Sequence, residues 1–219
     1  MAQEILTPLQ NKFIKLFAEN KPLKNRFYLT GGTALSAYYL KHRYSEDLDF
    51  FSFEPVDILA IEVFLKEIKS LLRVSKVDFQ QSFNRNLFFL HSKNEILKTE
   101  FTYFPFEQIE KPTPKDGILV DDLVDLGVNK AFTISQNPRS RDFIDLYFIL
   151  IKYKKFSFEK FLKLARIKFD ALIDPIQLGT QLLKAKDMQD LPRMLDKIDH
   201  RLWRNYFIKK ARSLSKEIF

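Results

Sequence analysis

Apolar residues recur at spacings of three and four over residues 4–19, where Ile5, Leu9, Phe13, Leu16 and Phe17 share one stripe. The spacing predicts an opening amphipathic helix that begins at Glu4 and is broken by Pro22. Phe27-Tyr28-Leu29-Thr30 is a short apolar run that stops at Gly31-Gly32, which reads as a strand entering a turn. Helical spacing returns over 33–41. Leu48-Asp49-Phe50-Phe51 reads as a second strand, and Ile58, Ile61, Phe64, Leu65 and Ile68 mark a helix over 57–72. Between 74 and 104 the period changes to two, with strands expected at 74–83, 86–91 and 95–104 in an antiparallel meander. Pro105, Pro112, Pro114 and Gly117 then mark an irregular connection before Ile118-Leu119-Val120, expected as a short edge strand.

From Asp121 onward the periodicity is helical. Asp121 or Asp122 is placed to cap a helix carrying Leu123, Leu126, Val128, Ala131 and Ile134, and a second helix is expected over 140–152 with Phe143, Leu146, Tyr147 and Leu150. Further helices are expected at 157–169, 175–184 and 200–217. The pattern divides the chain into an α+β part, 1–118, and an all-helical part, 119–219, with no internal repeat.

Composition narrows the chemistry. The 219 residues contain no cysteine, which excludes a disulfide framework, a thiolate metal site and a cysteine nucleophile. Met1-Ala2-Gln3-Glu4 lacks the basic start and apolar run of a signal peptide, and no stretch reaches the length of a membrane span. A cytoplasmic protein without a membrane partner is the expectation. The net charge of +8 is unevenly placed: residues 150–219 hold 17 basic and 8 acidic side chains, whereas 1–149 are nearly balanced. Such asymmetry suits a polyanionic partner, and it equally suits lysines on solvated helix faces.

Asp47 and Asp49 are separated by one residue, so on a strand both face the same way while Leu48 and Phe50 face the opposite way. Two carboxylates so close repel unless a cation lies between them, and Mg²⁺ takes oxygen ligands of this kind together with substrate phosphates. Glu100, flanked by Thr99, Phe101 and Thr102, is the candidate third acid, since a carboxylate in mid-strand needs a partner; a metal, Lys98 or a nearby arginine would serve. Upstream, Gly31-Gly32-Thr33 lies between strand and helix, where backbone N–H groups can meet phosphate. Two surface acids and a plain chain reversal are the alternative readings of these two features. A phosphate cradle followed one helix later by two co-facial acids describes a magnesium–nucleotide site.

The stretch Phe27-Tyr28-Leu29-Thr30-Gly31-Gly32-Thr33-Ala34-Leu35-Ser36, followed by Arg43-Tyr44-Ser45-Glu46-Asp47-Leu48-Asp49-Phe50, resembles the signature of the AbiEii/AbiGii-type nucleotidyltransferase toxins. Lys130-Ala131 and Arg141-Asp142-Phe143-Ile144-Asp145-Leu146-Tyr147 resemble that family's later motifs, so the resemblance spans about residues 27–147. It implies a DNA polymerase β-like mixed sheet with flanking helices and a helical C-terminal part. It also implies transfer of a nucleotide from an NTP with two Mg²⁺ ions, and a toxin with a cognate antitoxin. Gly31, Gly32 and Thr33 would hold the triphosphate, and Asp47 and Asp49 the metals, with Glu100 as third ligand. Lys130 and Asp142 would serve the nucleotide, Ser45 and Arg141 would assist its binding, and Asp145 would serve the site or brace its helix. Where the family often carries an arginine this chain has Asn137, with Arg139 two residues on as the substitute. Ion pairing of Asp142 and Asp145 with Arg139 or Arg141 is the structural alternative.

RNA, such as the acceptor end of tRNA, fits the basic tail, and a protein hydroxyl or a small molecule is the alternative acceptor. Trp203, Tyr206 and Phe207 are expected to pack the last helix rather than to stack on bases. Two rival functions stay open: a haloacid-dehalogenase-like phosphatase, with Asp121-Asp122 as its later acidic pair, and an inactive nucleotide- or RNA-binding module.

Overall fold

The computed structural model describes residues 5–218, so Glu4 and the rest of the N-terminal tetrapeptide lie outside the described residues. The chain forms two compact units, one made of residues up to 39 with 44–122, the other of 40–43 with 123 onward. Residues 40–43 are thus an excursion of the second unit within the sequence of the first.

In the first unit, α1 (Pro8–Glu19) begins with a reciprocal cap: the Thr7 hydroxyl accepts from the Gln10 N–H at 3.2 Å and the Gln10 side chain accepts from the Thr7 N–H at 2.9 Å. Asn20 caps a further helix, α2 (Lys21–Arg26), by accepting from the Leu23 N–H at 3.1 Å. Pro22 thus starts a helix rather than only ending one, because a missing N–H costs nothing in the first turn. The chain continues through β1 (Tyr28–Thr30), α3 (Gly31–Leu35), a π-helical turn (Ser36–Leu40), β2 (Asp47–Ser52) and α4 (Ile58–Ile68), the last capped by Asp57. Then come β3 (Lys76–Ser82), β4 (Arg85–His91), β5 (Ile96–Tyr103), β6 (Thr113–Lys115) and β7 (Ile118–Val120).

These strands make one mixed sheet in the order β3-β4-β5-β2-β1-β7-β6. The meander β3-β4-β5 is antiparallel, as its alternation predicts, and β5 then joins β2 in parallel. Ile118–Val120 is not an edge strand: β7 lies between β1, which it meets in parallel, and β6. The edge is β6, a strand too short and polar to be visible in the period, and its Pro114 sits where a missing donor is tolerated.

Alternation divides the sheet into an apolar and a polar face. Leu48, Phe50, Phe88, Leu90, Leu97 and Phe101 are all buried, and Phe13 and Phe17 of α1 with Phe64 of α4 cover them. Phe17 stacks on Phe50 at 4.4 Å between ring centroids, Phe50 on Phe101 at 5.3 Å, and Phe64 stands edge-on to Phe17 at 5.7 Å. This packed aromatic layer fixes the register of β2 against β5, so it decides which residues stand on the opposite face.

The second unit is helical: α5 (Leu123–Gln136), α6 (Ser140–Lys152), α7 (Phe158–Phe169), α8 (Pro175–Leu183) and α9 (His200–Ile218). Trp203, Phe143, Phe207 and Phe161 are fully buried, with Trp203 stacked on Phe143. Trp203 and Phe207 therefore pack the last helix and present no free ring face to a base. Close approach of α5 and α7 depends on Gly127, where a Cβ would come within 2.5 Å of the Phe161 ring. Lys168 of α7 and Asp125 of α5 form a fully buried ion pair at 2.6 Å. Among the described residues no helix is long and apolar enough to cross a membrane.

Candidate active site

β2 carries Asp47 and Asp49 on the polar face of the sheet, and the parallel register sets Lys98 opposite Asp47 and Glu100 opposite Asp49. The three carboxylates therefore share one face of two adjacent strands. Thr30 of β1 pairs with Asp49 on the other side, which brings the glycine turn alongside. Gly31 has a φ of +72°, and a Cβ there would lie 2.3 Å from Asp49 Oδ2. The close approach of backbone to carboxylate is possible only for glycine. The Thr33 hydroxyl, fully buried, donates to the carbonyl of Asp47. Thr33 thus ties the helical run after the turn to the start of β2, leaving Gly31 and Gly32 to offer backbone groups. Thr30 in turn donates to Asp121 Oδ2 at 2.7 Å, and Gln108 donates to Asp121 Oδ1 at 2.7 Å. Asp121 is fully buried in this bracing role.

Each of two acids on this face has a cationic neighbour. Lys98 Nζ is 3.0 Å from Asp47 Oδ2, both side chains being partly exposed. Arg85 of β4 grips Glu100 with two prongs, Nε to Oε1 at 2.7 Å and Nη2 to Oε2 at 2.6 Å, and Thr102 adds a donor to Oε1 at 2.8 Å. Burial by itself pushes the Glu100 carboxyl up, but the hydrogen bonds from Arg85 and Thr102 and the charges of Arg85 and Lys98 bring it below the ordinary glutamate value. Among the described residues no three acidic or histidine side chains stand clustered as a metal cage. The donor chemistry nevertheless suits a hard divalent ion: carboxylate oxygens of Asp47 and Asp49 on one strand face, with Glu100 beside them.

The later motif lies in the helical unit and is a buried charge network. Lys130 Nζ on α5 meets Asp142 Oδ1 at 2.7 Å and Asp145 Oδ2 at 2.9 Å, both on α6. Asp145 also receives Arg43 Nε at 2.6 Å, Arg43 Nη2 at 2.8 Å and His42 Nε2 at 2.8 Å. Asp142 accepts from the Arg139 N–H at 3.0 Å, which caps α6, and Arg139 Nε stands 3.7 Å away on the surface. Pairing with Arg139 occurs as the structural alternative foresaw; the principal partners, Lys130 and Arg43, come from other segments. Burial disfavours the Lys130 ammonium, yet Asp142 and Asp145 outweigh it and hold its pKa above that of an ordinary lysine. Asp145, raised by burial, is pulled well below the usual carboxylate range by Arg43, Lys130 and His42. Ser45 lies in the segment before β2, where its carbonyl accepts from Gln10 Nε2 at 3.0 Å, and Arg141 lies in the first turn of α6.

His42, 4% exposed, is kept neutral at physiological pH because burial lowers its pKa more than Asp145 raises it. It therefore donates from Nε2, and its Nδ1 has no hydrogen-bond partner among the described residues. A folded pKa below the unfolded value of about 6.5 gives stability that is present above that value and lost as pH falls below it. Asp142 and Asp145, both depressed, add a steeper loss below about pH 4. Urea midpoints followed by fluorescence of the single tryptophan, Trp203, are expected to decline between pH 6.5 and 5 in the wild type and to stay level in His42→Asn. Equal slopes in the two proteins contradict the assignment.

His42, Arg43 and Arg85 carry these networks, and the sequence reading assigned none of them a role. Arg43 stands inside the motif that resembles the toxin family, four residues before Asp47, so its place was marked and its partner was not. Arg85 becomes visible only when the two-residue turn Phe83-Asn84 fixes the register of β4.

Residues 15–215 match the family described as "Nucleotidyl transferase AbiEii toxin, Type IV TA system". An uncharacterised protein of Aquifex aeolicus is 35% identical over 133 residues, a region covering 59% of this chain and 60% of that relative. Among solved structures, a Helicobacter pylori protein described as a nucleotidyltransferase superposes with a TM-score of 0.60 at 19% identity, over 95% of this chain and 92% of that one. MenT4, a nucleotidyltransferase toxin of Mycobacterium tuberculosis, superposes with a TM-score of 0.54 at 15% identity, over 92% and 80% of the two chains. These two structures share the fold, a mixed sheet with flanking helices.

Proposed function

From the premise that the chain belongs to the AbiEii nucleotidyltransferase toxin family, we propose that it transfers a nucleoside monophosphate from an NTP to an acceptor hydroxyl and releases pyrophosphate. The observation that carries the reading is the placement of Asp47 and Asp49 on one strand face, with Gly31 held against the Asp49 carboxylate. Asp47 and Asp49 hold divalent ions, two Mg²⁺ in this reading, with Glu100 as the third carboxylate. When bound, such an ion supplies positive charge at the phosphate oxygens and lowers the pKa of the attacking hydroxyl. Gly31 and Gly32 present backbone N–H groups to the β- and γ-phosphates. The acceptor oxygen bonds to the α-phosphorus as the bond to the bridging oxygen breaks; pyrophosphate takes that electron pair, and the hydroxyl proton passes to a carboxylate of the same face. Lys130 and Asp142 keep their nucleotide-serving role as a proposal resting on the motif, and Lys130→Ala, which removes the ammonium, is the variant that tests it.

The acceptor is proposed to be RNA, with tRNA the first candidate. Support comes from the excess of basic residues after 150, of which Lys154, Lys155, Lys160, Lys163 and Lys209 are exposed. An antitoxin partner follows from the family description alone. Incubation with each labelled NTP, Mg²⁺ and either total RNA or tRNA, followed by separation of RNA, protein and free products, tests both parts. Label is expected in RNA, in amounts that fall steeply with added salt. Label confined to protein overturns the acceptor, and release of inorganic phosphate without transfer overturns the reaction in favour of a phosphatase. Tight NTP binding with no turnover favours an inactive binding module.

A further inference from the structure

The carboxylate face carries its own counter-cations. Asp47, Asp49 and Glu100 bring three negative charges to adjacent strands, and Lys98 and Arg85 answer with two positive ones, each in direct contact with an acid. The two contacts differ. The Lys98–Asp47 pair is single-pronged, with each side chain 27% exposed, so water reaches both partners. In the other pair Glu100 is nearly buried while Arg85 is about half exposed, so the acid holds the root of a guanidinium whose rim faces solvent. Arg85 is held chiefly by its hydrogen bonds to Glu100, and the charges of Glu100, Asp49 and Asp47 act on it in the same direction.

A divalent ion entering this face meets two protein cations already seated on its prospective ligands. Lysine is a compact point charge on a flexible stem and can swing away, while arginine fits the planar oxygen pairs of carboxylate and phosphate alike. We infer that Lys98 and Arg85 are exchangeable counter-cations: they lower metal affinity while no nucleotide is bound, and on metal entry they turn from the carboxylates to the triphosphate. Metal and nucleotide then bind cooperatively, because each supplies the opposite charge that the other's arrival uncovers. This inference rests on the reading of Asp47 and Asp49 as metal holders, which is why the test separates the two.

The test titrates Mn²⁺ without nucleotide, following the free ion by electron paramagnetic resonance, and separately titrates preformed magnesium tripolyphosphate, which needs no choice of base. Low ionic strength keeps the charges of this partly exposed face unscreened. In Lys98→Ala and in Arg85→Ala, Mn²⁺ is expected to bind on the order of tenfold tighter than in the wild type, and magnesium tripolyphosphate more weakly by a similar factor. Arg85→Lys, which keeps the charge, is expected to stay closer to wild type in Mn²⁺ affinity. A purely structural role for these cations moves both affinities downward or neither. Arg85→Ala leaves the nearly buried Glu100 with the Thr102 hydroxyl but without its guanidinium and risks misfolding; Lys98→Ala sits at the wet pair and decides by itself. Unchanged or weaker Mn²⁺ binding in Lys98→Ala overturns the inference. If Asp49→Asn also leaves Mn²⁺ binding at the wild-type level, the carboxylates are not the metal holders and the underlying reading falls; if Asp49→Asn weakens it, only the counter-cation role falls.

Discussion

Replacing Gly31 by alanine is expected to lower nucleotidyl transfer on the order of a hundredfold while leaving a folded protein, because the added methyl group meets the Asp49 carboxylate rather than the core. Its Cβ would lie 2.3 Å from Asp49 Oδ2 and 3.2 Å from the carboxyl carbon, so the Asp49 side chain must move. The backbone at φ +72° adds strain of about 1–2 kcal/mol for a residue with a Cβ. That strain is small against the packing of Leu29, Phe50 and Phe101 on the far side of the sheet, all fully buried. The measurement is transfer rate beside thermal melting. A loss of rate with a melting point lowered by only a few degrees agrees with displacement of Asp49. Wild-type rates in a folded Gly31→Ala protein contradict the role of this close approach.

Asp145→Ala is expected to cost the helical unit about 3–5 kcal/mol, the range for removing one partner of a buried ion pair. The carboxylate is fully buried and is shared by Arg43, His42 and Lys130, so its loss removes the one acceptor that three donors hold in common. Lys130 retains Asp142, whereas Arg43 loses both of its short contacts to Asp145. Asp145→Asn keeps one acceptor oxygen and is expected to lose less. Followed by Trp203 fluorescence, the melting point of Asp145→Ala should fall on the order of 10 °C. A fall corresponding to under about 1 kcal/mol would mean that the network is solvated and does not brace α6.

Much of the fold was legible because the hydrophobic period changes where the structure changes. Alternation over Leu87 to Leu90 marks a strand with one buried face, and of the stripe Ile58, Ile61, Phe64, Leu65 and Ile68 that marks α4 all but Ile58 are buried. Short elements escaped. The three residues of β6 are too few to show a period, and α2 hid behind Pro22, which reads as a breaker unless its position in a first turn is known. The excursion of 40–43 also left no trace in the period, since its ties run from His42 and Arg43 to Asp145 more than a hundred positions away.

The site divides in the same way. Asp47 and Asp49 were legible because a strand period of two puts both on one side whatever else the chain does. Glu100 was legible as an acid needing a partner, but choosing among a metal, Lys98 and an arginine needed the register that sets Arg85 beside Thr102. Lys130 and Asp142 were legible only through the motif they share with the family, because a contact at 2.7 Å between two helices has no signature in spacing.

Pyrophosphate release from each NTP in the presence of Mg²⁺ and RNA, compared between the wild type and Asp49→Asn at matched melting points, tests most directly that the strand-face carboxylates perform nucleotidyl transfer. Asp49→Asn keeps the shape of the side chain and removes its charge, so the predicted result is a folded variant whose release drops to background while the wild type turns over. A folded Asp49→Asn protein that releases pyrophosphate and labels its acceptor at the wild-type rate would contradict the assignment.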